Sequence, residues 1–114
     1  MNLAFGDMHR AADEASELLK ALASPHRLLI VCRLIEGEQT VGALAATLGV
    51  RESLVSQHLA VLRRERIVSA RRDGQSMHYA VSSPRARAVV ETIARQFCAP
   101  VAACDLALDQ PQDL

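Results

Sequence analysis

Residues 40–65 of the 114-residue chain read TVGALAATLGVRESLVSQHLAVLRRE. Thr40 can cap a short helix over residues 41–48, and Gly49 suits the left-handed position at which such a helix ends. A further helix is predicted from Arg51 to Glu65, with apolar residues on one side and polar residues on the other. A short helix joined by a glycine turn to a second helix is the arrangement that places the second helix in the major groove of DNA.

Two helices are predicted before this segment, and a β-hairpin and a fifth helix after it. The helices follow from apolar residues at helical spacing and from a serine cap followed by proline, and the hairpin follows from alternation around an Asp-Gly turn. The predicted elements are a helix over 7–22, a helix from Pro25 to Gly37, strands over 67–72 and 77–81 around Asp73-Gly74, and a helix from Pro84 to Cys98. The fold class is therefore mainly α with a β-hairpin wing, a winged helix-turn-helix.

The composition sets the number of domains and the class of protein. Half of the residues are apolar and only three are aromatic, so one compact domain with an aliphatic core is expected. We assign it to residues 1–104 and expect residues 105–114, which carry three Asp and a Pro, to form a flexible acidic tail. Neither a signal-peptide pattern nor a membrane span is recognised, which predicts a cytoplasmic protein.

The charges are unevenly distributed along the chain, although the formal net charge is zero. Residues 1–50 carry a net charge of −2, residues 51–87 carry eight Arg against three acidic residues for a net charge of +5, and the remainder carries −3. A cationic middle third suits contacts with phosphates and base edges, although a solvated surface is the alternative. The pattern favours DNA as the partner.

Candidate DNA-contacting residues lie on the predicted fourth helix and on the hairpin. Short polar side chains can bond to base edges, and arginines can bind phosphate or guanine. The alternatives are a half-buried position for His58, a capping role for Ser53 and a solvated helix end for Arg63. The predicted contact set is Arg51, Ser53, Ser56, Gln57, His58 and Arg63 on the helix, with Arg71, Arg72 and Gln75 at the wing.

Three strings resemble the ArsR/SmtB family of winged-helix repressors. They are KALASPHRLLI at residues 20–30, SQHLAVL at residues 56–62, and RRDG at residues 71–74 followed by Tyr79, and the match covers roughly residues 10–98. The resemblance implies a homodimer held by the first and last helices, which binds operator DNA and releases it when an inducer binds or a thiol pair reacts. A two-fold dimer would read an inverted repeat.

The cysteines are the residues from which the inducer can be predicted. The third helix has no Cys and the fifth has no His, so two metal sites common in the family lack their ligands. Cys32 and Cys98 resemble the cysteines of the thiol- and persulfide-responsive subgroup, which implies that they react with each other directly or through a sulfur chain. Cys104 is additional, and the alternative is an arsenite site formed by Cys98 and Cys104, with or without Cys32. Cys32 could alternatively have only a structural role, as a small apolar residue of the core.

Other function classes find little support in the sequence. No acid/base pair, glycine-rich phosphate loop or nucleophile with a paired histidine is recognised, so neither an enzyme nor a bound cofactor is expected. A protein-interaction module with a vestigial wing is the competing class. It would bind no inverted-repeat DNA.

Overall fold

The computed structural model describes residues 5–98, in which five helices are combined with a three-stranded antiparallel sheet. The elements are α1 (Phe5–Leu22), α2 (Pro25–Glu36), β1 (Gln39–Thr40), α3 (Val41–Leu48), α4 (Glu52–Arg64), β2 (Val68–Asp73), β3 (Ser76–Val81) and α5 (Pro84–Cys98). The predicted winged helix-turn-helix order is confirmed, with β1 as an addition. The predicted tail and Cys104 lie outside the described residues, and the domain limits remain a prediction.

Local capping explains where three of the helices begin. The hydroxyl oxygens of Ser24, Thr40 and Ser83 accept hydrogen bonds from the backbone N–H groups three residues further on, at 3.3, 3.1 and 3.1 Å. Each bond satisfies a helix N–H that has no partner within its own helix. At the other end of α3, Gly49 has a φ of 71°, the left-handed conformation predicted for it. The left-handed turn at Gly49 thus ends α3 shortly before α4 begins.

The sheet differs from the predicted two-stranded hairpin. Gln39 and Thr40 form a third strand, which pairs with Tyr79 and His78 of β3 and gives the strand order β1-β3-β2. A strand of two residues is too short to show the alternation from which strands are predicted. The hairpin strands also run one residue closer to the Asp73-Gly74 turn than predicted, over 68–73 and 76–81. The structure therefore adds β1 to the predicted element order.

The core is aliphatic and contains the inner face of α4. Val55, Leu59 and Leu62 of α4 are at most 1% exposed, and they belong to one cluster with buried residues of α2, α3, β2 and α5. This burial leaves the polar face of α4 towards solvent. Within residues 5–98, no helix is long and apolar enough to cross a bilayer.

Candidate DNA-binding surface

The outer face of α4 carries most of the predicted DNA-contacting side chains. Ser53, Ser56, Gln57 and Arg63 are exposed, while the buried residues of the helix point to the core. Arg51 occupies the N-cap position, and its Nε donates a hydrogen bond of 3.2 Å to Ser53 Oγ. Ser53 therefore does not cap the helix, which was its alternative role. The result is a polar surface with a cation at each end.

A cleft separates this face of α4 from the sheet. It has a volume of about 390 Å³ and is lined by Ser56, Leu59, Ala60, Arg63, Arg64 and Tyr79. Tyr79 is half-buried in the middle of β3, and it was not among the predicted site residues. It is the only tyrosine of the chain, and a Tyr can join an apolar ring to a polar hydroxyl at such a boundary. The presence of a single tyrosine was the one feature of the sequence that could have pointed to Tyr79 as a site residue.

The two wing arginines lie on opposite faces of the hairpin. Residues directly opposite each other in antiparallel strands share a face, and faces alternate along a strand. Arg72 is opposite Met77, two residues along β3 from Tyr79, and so shares the face that borders the α4 cleft. Arg71 is opposite His78 and belongs to the other face. Arg72 is exposed, and within residues 5–98 its side chain forms no ion pair or hydrogen bond.

Arg71 is held by a carboxylate from the other edge of the sheet. Its Nε lies 3.1 and 3.0 Å from the two carboxylate oxygens of Glu38, and its second guanidinium nitrogen lies 2.8 Å from one of them. These hydrogen bonds lower the pKa of Glu38, which the charge of Arg71 lowers further. Arg71 is therefore paired with a carboxylate and Arg72 is not, although the sequence predicts the same role for both.

His58 points away from the outer face of α4. Its Nδ1 lies 3.3 Å from a guanidinium nitrogen of Arg27, and its ring stacks on His26 with 5.4 Å between the centroids. Both partners belong to α2. This is the half-buried position that was the alternative for His58, so in this structure the side chain joins α4 to α2 and is not presented for base contact.

Cys32 of α2 and Cys98 at the end of α5 are half-buried thiols outside any disulfide. Burial raises the pKa of the Cys32 thiol, and negative charge on Cys98 and on Glu36 raises it further. The two helices that carry these cysteines, α2 and α5, pack against each other. The neighbouring arginines have other partners, since Arg33 pairs with Glu36 at 3.6 Å and Arg95 donates a hydrogen bond to Thr92 at 3.1 Å. Among residues 5–98, no three His, Cys, Asp or Glu side chains are arranged to hold a metal ion.

Known proteins resemble the chain in both sequence and structure. Residues 24–70 match the family described as bacterial regulatory protein, arsR family. The biofilm growth-associated repressor of Agrobacterium fabrum is 41% identical over 93 residues, which are 82% of this chain and 80% of that protein. The chain belongs to the ArsR family. It is a DNA-binding transcriptional regulator and not an enzyme, as predicted.

Solved structures extend the ArsR assignment to the fold. Reduced HlyU from Vibrio cholerae superposes with a TM-score of 0.77 at 40% identity, covering 80% of this chain and 96% of that one. The homodimeric winged helix-turn-helix DNA-binding domain Mb0332 from Mycobacterium bovis superposes with a TM-score of 0.70 at 26% identity, covering 94% of each chain. These likenesses support the winged helix-turn-helix fold of this ArsR protein.

The contact between His58 and α2 predicts how the stability of this ArsR protein depends on pH. Burial lowers the pKa of His58 below its ordinary value of 6.5, and the charges of Arg27 and His26 lower it further. The folded state thus favours neutral His58, so the stabilising contribution is complete above pH 6.5 and is lost as the pH falls through the folded-state pKa. We expect the melting temperature of His58→Gln to fall less than that of the wild type between about pH 7 and about pH 5.

A matched variant on the wing, His78→Gln, serves as the control for this pH series. It leaves the contact between α2 and α4 in place, so its melting temperature should follow the wild-type profile. Equal slopes for the wild type and His58→Gln would contradict the prediction.

Proposed function

We propose that this ArsR-family protein is a cytoplasmic repressor that binds an inverted-repeat operator as a homodimer and releases it when Cys32 and Cys98 become linked. The observation that carries the DNA-binding part is that the exposed polar face of α4 and the Arg72 face of the wing border the same cleft at Tyr79. Its helix is anchored by a buried apolar face, so the polar side chains project from a fixed support.

Each DNA-contacting residue has a distinct role in this proposal. Ser56 and Gln57 are centrally placed on the exposed side of α4 and bond to base edges, with Ser53 towards the N-terminal end. Arg51 and Arg63, at the two ends of the helix, bind phosphates and set the register of the protein on the duplex. Arg72 and Gln75 contact the backbone or the minor groove beside the operator half-site.

The homodimer explains why α1 is so poorly buried in one chain. The apolar residues Met8 and Leu19 of α1 are 52% and 53% exposed, and Phe97 of α5 is 84% exposed. Such surface on two helices at the chain ends suits a self-complementary contact with a second copy. The homodimeric state of Mb0332 supports this assembly. A two-fold axis would then present two α4 helices to an inverted repeat.

The thiol chemistry needs an oxidant, and inorganic polysulfide supplies it. The thiolate of one cysteine attacks a polysulfide sulfur, forms a persulfide and releases a polysulfide shorter by one sulfur. The second thiolate then attacks the inner sulfur of that persulfide and expels hydrosulfide, which leaves a disulfide. The two cysteine sulfurs lose two electrons in total, and these reside on the released sulfur anions. Cys32 and Cys98 are both half-buried, and the helices that carry them, α2 and α5, pack against each other, which supports this pairing.

A route from the thiols to the DNA surface runs through α2. Arg27 of α2 donates hydrogen bonds to the carbonyl oxygens of Ala21 and Lys20 at the end of α1, and it contacts His58 of α4. A bond between Cys32 and Cys98 would link α2 covalently to α5. Because α2 also contacts α1 and α4 through Arg27, a shift of α2 would change the position of α4. A coupling of about 1–3 kcal/mol is typical of such regulation.

The experiment that tests DNA binding is selection of genomic fragments by the purified, reduced protein. We expect the recovered fragments to share an inverted repeat. Recovery of no DNA at low salt would contradict the proposal and favour a protein-interaction module. Titration with arsenite, followed by sulfur-to-metalloid absorbance in the ultraviolet, tests the alternative thiolate site of Cys32, Cys98 and Cys104. Arsenite-dependent release without any response to polysulfide would favour that alternative.

Replacing Arg72 by Gln should weaken binding to the selected operator and to unrelated DNA alike. The substitution removes one phosphate contact per protomer, so the slope of log affinity against log salt should decrease by about 1 for each protomer. Fluorescence anisotropy at several salt concentrations measures both quantities. Arg10→Gln on α1, whose partner is Asp7 at 3.2 Å, is the control and should bind like the wild type. Equal behaviour of the two variants would remove Arg72 from the interface.

A further inference from the structure

We propose that Glu38 is a positioning residue of the wing, which holds Arg71 away from DNA and thereby limits the electrostatic part of DNA binding. The inference rests on the proposed function, since it concerns the same wing. It assigns to Arg71 a role opposite to that of Arg72, although the two residues are adjacent in the sequence.

The geometry of the Glu38–Arg71 pair is bidentate and spans the whole sheet. Both carboxylate oxygens of Glu38 bind the guanidinium, at 2.8 to 3.1 Å. Glu38 directly precedes β1 at one edge of the sheet, whereas Arg71 lies in β2 at the other edge, with β3 between them. The two side chains therefore cross over His78, which lies opposite both Thr40 and Arg71. A planar guanidinium held in two places has a fixed direction.

The charge of Arg71 is neutralised from two sides. Besides Glu38, the carboxylate of Asp73 at the hairpin tip lies 4.0 Å from Arg71. His78, the titratable group on the neighbouring strand, also acts on Glu38 and lowers the pKa of its carboxyl. An arginine whose charge is matched in this way attracts phosphate less strongly than an unpaired arginine does. The wing then offers DNA the charge of Arg72 on its cleft-facing side.

The Glu38–Arg71 ion pair contributes little to the stability of the folded protein. The side chains of Arg71 and Glu38 are 55% and 38% exposed, and exposed ion pairs contribute little to folding. Its consequence lies in counterion release, because each phosphate neutralised by a protein cation adds about 0.9 to the salt slope of binding. Removing the charge of Glu38 would free Arg71 for one such contact in each protomer.

The test is Glu38→Gln, measured by anisotropy with a fluorescein-labelled operator duplex and an unrelated duplex. We expect tighter binding to both, with a salt slope steeper by about 0.9 per protomer. The gain in affinity per protomer should be about threefold larger at about 50 mM salt than at about 200 mM salt. A purely structural role for Glu38 would not steepen the slope. Unchanged or weaker binding by Glu38→Gln would overturn the inference.

Two further variants make the result specific to the pair. Arg71→Gln leaves the Glu38 carboxylate without its partner and should bind neither duplex more tightly than the wild type, and Glu38→Gln combined with Arg71→Gln should lose the whole gain. Persistence of the gain in the double variant would overturn the inference. Arg72→Gln separates the two proposals: if it weakens binding while Glu38→Gln changes nothing, only the role of Glu38 fails. If the wild type binds neither duplex, the proposed function and this inference fail together.

Discussion

Replacing Cys32 by Ser is expected to leave operator affinity unchanged and to remove its response to inorganic polysulfide. The wild type should lose roughly 5- to 150-fold in affinity, the usual range of coupling between sites, and the variant should lose none of it. The reason is that the serine hydroxyl cannot form the bond between α2 and α5. Cys98→Ser should behave in the same way. Gel-shift titration before and after polysulfide treatment gives the comparison.

Cys104→Ser is the matched control for these two variants. It keeps both thiols of the proposed link, so its response to polysulfide should equal that of the wild type. A response that survives in Cys32→Ser or Cys98→Ser would end the two-thiol account. A response that also disappears in Cys104→Ser would point instead to three thiolates acting together.

Truncating Leu59 to Ala should destabilise the fold by about 2–5 kcal/mol, out of a total of about 5–15 kcal/mol for a domain of this kind. Leu59 is 1% exposed on the inner face of α4, so the change leaves a cavity beneath the helix proposed to read DNA. Operator binding should weaken as well, since the support of the polar face is loosened. Urea unfolding, combined with a binding titration, measures both effects.

Leu29→Ala is the corresponding surface control. Leu29 is 49% exposed on α2, and its truncation should cost far less stability than that of Leu59. Similar losses for the two variants would mean that the inner face of α4 contributes little to the core.

The sequence predicts the helix-turn-helix because several local signals agree there. The cap at Thr40, the left-handed glycine at Gly49 and the periodicity of α4 all depend on neighbouring residues, and the structure confirms each of them. β1 was not predicted because a strand of two residues shows no periodicity. Gln39 and Thr40 form a strand only because β3 lies beside them. The periodic face of α1 was recognised, although most of it is unburied in one chain.

The candidate site was harder to predict because it depends on contacts between distant segments. Glu38 and Arg71 are 33 residues apart, and only the sheet brings them together. Helical periodicity places His58 at the border of the two faces of α4, and its direction is decided by Arg27 and His26 of α2. The raised pKa of Cys32 likewise follows from burial and from Cys98, which spacing along the chain does not reveal.

In the proposed mechanism, DNA affinity depends on one bond, between Cys32 and Cys98. The most direct measurement records, on the same samples of wild-type protein, the fraction of chains with these two cysteines linked, by mass spectrometry of the peptides, and operator affinity, by anisotropy. With increasing polysulfide, affinity should fall in proportion to the linked fraction and return when a thiol reductant cleaves the bond. A loss of affinity without the link, or a complete link with unchanged affinity, would contradict the account.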